Sequence, residues 1–92
     1  MYAYSHLSEN IAPFLKGMGE VIASRRKNLG MSQKQLSTRA GIDRAYLSHL
    51  ETGRTNPSIE VLMKVAAGLK LKPSRLLALC ERATVPEDPH ML

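Results

Sequence analysis

The stretch "QKQLSTRAGIDRAYLSHLETG", residues 33–53, carries two short apolar patterns separated by a glycine. In its second half, a helical period counted from Arg44 puts Leu47 and Leu50 on one side. Arg44, Ala45, Ser48, His49 and Thr52 fall on the other. Asp43 stands where a helix needs an N-cap and Gly53 where one ends, so a helix is predicted from Asp43 to about Thr52. In the first half, Ser32 is a good N-cap for a helix over residues 33–39, with Leu36 and Ala40 facing inward. Gly41 breaks that helix and supplies the permissive backbone of a tight turn. Two helices that cross steeply on a short turn need a small side chain where their backbones approach, a glycine at the corner and apolar contacts to hold the angle. Ser37 is the small residue, Gly41 the corner, and Leu36, Ala40, Ile42, Leu47 and Leu50 the contacts.

The flanking sequence extends the same pattern. Met18, Ile22, Arg26 and Leu29 recur at helical spacing, which predicts a first helix ending at residue 28 or 29 before Gly30. Gly17 and Gly19 are expected to interrupt any continuation toward the N-terminus. Residues 1–17 then form an extension with room for a short helix around Ile11 to Lys16. Ser58 caps a fourth helix whose inward positions are Ile59, Leu62, Val65, Ala66 and Leu69. Pro73 suits the first turn of a fifth, where Leu76, Leu77 and Cys80 make a stripe. The predicted organisation is an extension (1–17), an all-α domain of five short helices (18–82) and a frayed tail (83–92) containing two prolines.

Composition narrows the classes of function. A chain of 92 residues is one domain, and with no Trp and 4% aromatics its core must be built from aliphatic residues and Met. The start lacks the basic-then-apolar pattern of a signal peptide, and no run approaches the ~20 apolar residues of a membrane span. A single cysteine excludes an internal disulfide framework, so a reducing cytoplasm is the expected compartment, with no membrane partner. His6, His49, His90 and Cys80 have no metal-ligand spacing, and the glycines are isolated rather than gathered into a phosphate-cradling loop. Cys80 lies on an apolar helix face, as an inert thiol does. Neither an enzyme nor a cofactor or metal is expected. The formal net charge is +5, and residues 24–56 alone hold seven basic residues (Arg25, Arg26, Lys27, Lys34, Arg39, Arg44, Arg54) against Asp43 and Glu51. Clustered positive charge favours a polyanion; a basic but idle surface is the alternative.

Two of those charges lie on apolar faces. Arg26 sits beside Ile22 and Leu29 on the first helix, and Glu51 beside Leu47 on the third. Lone charges there are costly unless they meet, so an Arg26–Glu51 salt bridge is predicted, positional in role.

With "SQ" at 32–33, "ETG" at 51–53, "NPS" at 56–58 and the glycine-cornered helix pair, residues 22–77 resemble the whole five-helix domain of the lambda-repressor and Cro-like helix-turn-helix family. The same salt bridge is implied by this resemblance. Three departures stand out: Lys70 occupies the place where a glycine commonly closes the fourth helix, Ser37 replaces a more frequent alanine, and the N-terminal extension, residues 1–17, is not part of the family's domain. The resemblance implies a stand-alone homodimeric transcriptional regulator, similar to phage repressors or restriction–modification controllers, that binds a palindrome in double-stranded DNA through its third helix.

If that helix enters a major groove, Arg44 is placed to bond a guanine edge, with a phosphate-only contact as the alternative. Ala45 fits a thymine methyl. His49 fits a base or a phosphate, or simple solvation. Gln33, at the start of the second helix, is expected by resemblance to clamp backbone phosphate and brace the reader residues. Tyr46 fits a phosphate contact or core packing equally. Arg54, Thr55 and Asn56 are short-range phosphate ligands by position, Arg25 and Lys34 longer-range ones. Lys64, Lys70, Lys72 and Arg75 are expected to be solvated. Leu71, Leu76, Leu79, Cys80 and Ala83 exceed what a small core needs and are the expected dimer interface, with Leu76 and Leu77 dividing between core and interface. An antitoxin that binds a toxin and represses its own operon is the alternative function; residues 1–17 and 83–92 are the segments open to a toxin.

Overall fold

Small polar side chains start three of the helices. In the computed structural model, which describes residues 10–84, Ser32 and Gln35 form a reciprocal capping box at the head of α2 (Gln33–Ala40). The Ser32 hydroxyl accepts from the Gln35 N–H at 3.0 Å, and the Gln35 amide oxygen from the Ser32 N–H at 2.8 Å. Asp43 accepts from the Ala45 N–H at 3.1 Å to begin α3 (Arg44–Glu51), and Ser58 from the Val61 N–H at 3.2 Å to begin α4 (Ile59–Gly68). The two outer helices are α1 (Ala12–Asn28) and α5 (Pro73–Thr84). Among the described residues there is no strand. Residues 1–9 and 85–92, which include most of the expected extension and tail with His6 and His90, lie outside the described residues.

The first four helices end in the same way. A residue with positive φ follows the last turn, its N–H bonding back three residues and the next N–H five (at α1, Gly30 to Lys27 at 2.9 Å and Met31 to Arg26 at 3.0 Å). Gly30, Gly41 and Gly53 fill that position in α1 to α3. In α4 it is Lys70, at φ 60°, with the Leu71 N–H reaching the Ala66 carbonyl at 2.9 Å. The helix therefore closes at Lys70 rather than at Gly68. A side chain in the left-handed region costs roughly 1–2 kcal/mol, part of which glycine's larger unfolded-state entropy offsets. Lys70→Gly is accordingly expected to stabilise the domain by about 0.5–1 kcal/mol, read as a higher urea midpoint with an unchanged m-value.

One expected boundary is corrected. Gly17 and Gly19 do not interrupt the helix near Met18: α1 begins at Ala12 and runs through both glycines. Both are buried, because they let other elements approach closely. A Cβ on Gly19 would lie 2.6 Å from the Leu50 carbonyl oxygen, inside the last turn of α3, and one on Gly17 would lie 2.7 Å from Thr84 Oγ1 of α5. Helix-breaking residues here are contact points between helices.

The core joins all five elements. α1 packs along α5 and crosses α3, while α2 packs against α4 and α3. Ile22, Leu36, Leu47, Leu50, Val65, Leu69, Leu76 and Cys80 are its largest fully buried side chains. Ser37 and Gly41 take the close-approach and corner roles expected of them: Ser37 is buried and Gly41 sits at φ 69°. Gly68 lets α4 close on α2, where a Cβ would lie 2.9 Å from Leu36 Cδ1.

Two expectations about facing are overturned. Ile59 is 69% exposed, not inward, because the apolar arc of α4 is wider than its contact with the core. Cys80, expected at a dimer interface, is wholly consumed by the monomer's own core, and of the pair expected to divide between core and interface Leu76 is the buried one and Leu77 the exposed one. Burial pushes the Cys80 thiol up to about 11, the state of an inert core thiol.

Candidate functional site

The capped start of α3 and its buried Leu47 and Leu50 fix which side of the helix looks outward. Arg44, Ala45 and His49 are exposed there, and Ser48 is half-buried. Thr52 turns its hydroxyl back onto the helix, donating to the Ser48 carbonyl at 3.0 Å. The free chemistry of the face is thus a guanidinium, a methyl and an imidazole within two turns. Ala45 and His49 are short and have little rotamer entropy to lose on contact, whereas Arg44 is long and loses more when it is ordered.

A polar chain runs from the core to this face. The Arg26 guanidinium donates through Nε to Glu51 Oε2 at 2.7 Å and through Nη2 to Glu51 Oε1 at 3.0 Å. Its third nitrogen donates to the Met31 carbonyl at 2.9 Å, in the turn that ends α1. The side chains are only 11% and 6% exposed, and the bidentate carboxylate holds the Arg26 pKa above its ordinary value against the opposing effect of burial. Glu51 Oε1 also accepts from Gln33 Nε2 at 3.0 Å. The amide oxygen of Gln33 is left facing Arg44 Nη1, a long contact at 3.4 Å. With Glu51 acceptor-only and Arg44 donor-only, this orientation of the Gln33 amide satisfies both neighbours. Arg26, Glu51, Gln33 and Arg44 therefore form one ordered sequence linking α1, α3 and α2. Among the described residues no buried side-chain polar atom lacks a partner.

The remaining candidates divide by location. Arg54, Thr55 and Asn56 follow directly on Gly53; Arg54 and Asn56 are exposed and Thr55 is half-buried. Lys34 is exposed on the first turn of α2. Tyr46 is half-buried and packs against the core, so packing accounts for at least part of its side chain. Arg25 is drawn elsewhere. Its Nε donates to the Leu69 carbonyl at 3.0 Å, and it lines a shallow groove between α1 and α5 with Val21, Leu71, Arg75 and Leu79. That hydrogen bond across to the end of α4 was invisible in the local sequence pattern. Leu71 and Leu79, from the expected interface, are half-buried in this groove, and Ala83 lies over Gly17. Among the described residues, the large apolar side chains left exposed are instead Ile59 and Met63 of α4, Leu77 of α5 and Ile11. Among the described residues no helix is long and apolar enough to cross a membrane.

The helix-turn-helix family model matches residues 22–76. The transcriptional regulator SinR of Bacillus subtilis is 41% identical over 61 residues, which is 65% of this chain and 55% of that protein. The chain spans about half the length of the curated relatives it matches, 50% of one from Haemophilus influenzae. Among solved structures, the restriction-modification controller protein C.AhdI from Aeromonas hydrophila superposes with a TM-score of 0.66 at 32% identity, covering 67% of this chain and 94% of that one. The controller protein C.Esp1396I, solved as a tetramer in complex with its natural 35 base-pair operator, gives a TM-score of 0.71 at 25% identity, covering 77% and 93%.

Proposed function

Since this chain belongs to the helix-turn-helix family, we propose that it is a sequence-specific transcriptional regulator that binds double-stranded DNA as a homodimer on a palindromic operator, with α3 in the major groove. The observation that carries this is the division of α3: Leu47 and Leu50 are locked in the core while Arg44, Ala45 and His49 stand exposed at and after its capped N-terminus. In this binding mode Arg44 reads a guanine edge, with Gln33 leaning against it from α2, and Ala45 and His49 meet the neighbouring positions. Lys34, Arg54, Thr55 and Asn56 hold backbone phosphates on either side of the reader helix.

One reader helix covers a few base pairs, so affinity comes from pairing two copies. With Leu76 and Cys80 used by the core, the surface assigned to that pairing moves to the exposed apolar side chains Ile59 and Met63, one turn apart on α4, and Leu77 of α5. The tetramer in the DNA-bound neighbour supports association of copies as the mode of binding. The segments that an antitoxin would offer to a toxin, residues 1–17 and 83–92, lie largely outside the described residues.

The test is fluorescence anisotropy with the DNA upstream of the chain's own gene against scrambled DNA, titrated with salt. Specific binding by two chains per site, weakening steeply as salt rises, is the expected result. Arg44→Ala should then lose about 1–3 kcal/mol of discrimination at one position per half-site, with the other positions unaffected. Equal, weak binding to both DNAs would overturn the proposal.

A further inference from the structure

The family match begins at residue 22, yet α1 begins at Ala12. Those additional turns of helix are fixed against the reader helix and the turn that follows it. Gly19 meets the Leu50 and Glu51 carbonyl groups at the end of α3. One turn earlier, Gly53 lies directly on the backbone of α1: a Cβ there would be 3.0 Å from Lys16 Cα and 3.2 Å from Lys16 N. Lys16 and Gly19 are three residues apart and so share the stripe of α1 that faces α3. Helical Cβ atoms tilt toward the N-terminus, which carries the Lys16 side chain past Gly53 rather than into α3. Lys16 is exposed, and among the described residues it has no ion pair.

We propose that Lys16 is a phosphate-binding residue: with Arg54 it forms a basic edge at the far end of α3 that takes a DNA backbone phosphate outside the reach of the helix-turn-helix itself. Gly53 leads straight into Arg54, Thr55 and Asn56, so Lys16 is built onto the rim of the loop already assigned to phosphate contact. A lysine suits this place, since an ammonium on a flexible stem binds a phosphate as a point charge without demanding a fixed geometry. The site rests on the DNA-binding function proposed above and extends its footprint on the α1 side.

The experiment compares wild type, Lys16→Gln and Arg54→Gln by anisotropy on operator and scrambled DNA over a range of salt, with hydroxyl-radical footprinting of each complex. For Lys16→Gln the expected result is several-fold weaker binding to both DNAs alike. The magnitude of the salt slope should fall by about 0.9 for each Lys16 contact in the complex, and protection should be lost at the outer edge of the footprint. Because Lys16 is exposed, its melting temperature should equal that of wild type. If Arg54→Gln weakens binding while Lys16→Gln leaves slope and footprint unchanged, the Lys16 site is overturned and the DNA-binding function stands. If wild type itself does not prefer operator, the function proposed above falls first.

Discussion

Glu51→Gln is expected to cost about 3–5 kcal/mol of stability, the loss seen when one partner of a buried ion pair is removed and the other is stranded. Arg26 is the stranded group. Its side chain is 11% exposed, and its guanidinium has no second carboxylate among the hydrogen bonds it makes. A domain of this size has about 5–10 kcal/mol in total, so the variant should be close to unfolding at physiological temperature. The double variant Arg26→Met with Glu51→Met should recover most of the loss, because long apolar side chains fill the same space without desolvating a charge. A residue of about 1–2 kcal/mol should persist, since the Met31 carbonyl loses the Arg26 donor. Urea unfolding of Arg26→Met, Glu51→Met and the double completes the cycle, with Glu51→Gln measured beside it. A Glu51→Gln cost below about 1 kcal/mol would show that the pair does not hold α1 to α3.

The second large effect runs against helix propensity. Glycine to alanine in a helix interior ordinarily gains about 1 kcal/mol. Gly19→Ala should instead lose about 2–3 kcal/mol, because its new methyl would lie 2.6 Å from the Leu50 carbonyl oxygen and 2.7 Å from the Glu51 carbonyl carbon. Both are backbone atoms of α3, and they yield only if the whole turn moves. At this domain size the loss corresponds to a fall of roughly 10–20 °C in Tm. Gly17→Ala is the control two residues away. Its methyl meets the Thr84 hydroxyl at 2.7 Å, the end of a side chain that can rotate aside, so the helix gain should leave it near neutral. Thermal melts of the pair test the difference; equal behaviour at both positions would mean that α1 and α3 are not in backbone contact.

Those two glycines mark where the sequence misleads. Read along the chain, Gly17 and Gly19 are breakers, and nothing local shows that carbonyl groups from residues 50 and 51 occupy the missing side-chain space. Helix starts are legible from local chemistry. Ser32, Asp43 and Ser58 each cap the predicted helix, because an N-cap depends on atoms a few residues apart. The Arg26–Glu51 pair is also legible, since a charge on an apolar stripe states its own need for a partner. Facing is less secure. Ile59 and Leu76 look alike on a helical wheel, and whether a partner element covers them is decided by tertiary geometry: one is 69% exposed and the other 1%. Arg25 was placed by charge alone, while its hydrogen bond to Leu69 depends on how α4 ends against α1. Lys70 shows the opposite case: the closing turn of α4 forms at the position the other helices give to glycine, although the residue there is unsuited to it.

The separation of α3 into two faces has a consequence for how such a protein can change. The Ala45 and His49 side chains are exposed and make no hydrogen bond within the described residues, so exchanging them for other helix-compatible residues rewrites what the helix presents while leaving the scaffold's free energy almost untouched. Arg44 is different, because its neighbour Gln33 is hydrogen-bonded to the same carboxylate that neutralises Arg26. New preferences can therefore be acquired one exposed position at a time at two of the three sites. At the third, exchanging Arg44 also removes the donor that faces the Gln33 amide oxygen, so a change there reaches the polar chain behind the helix.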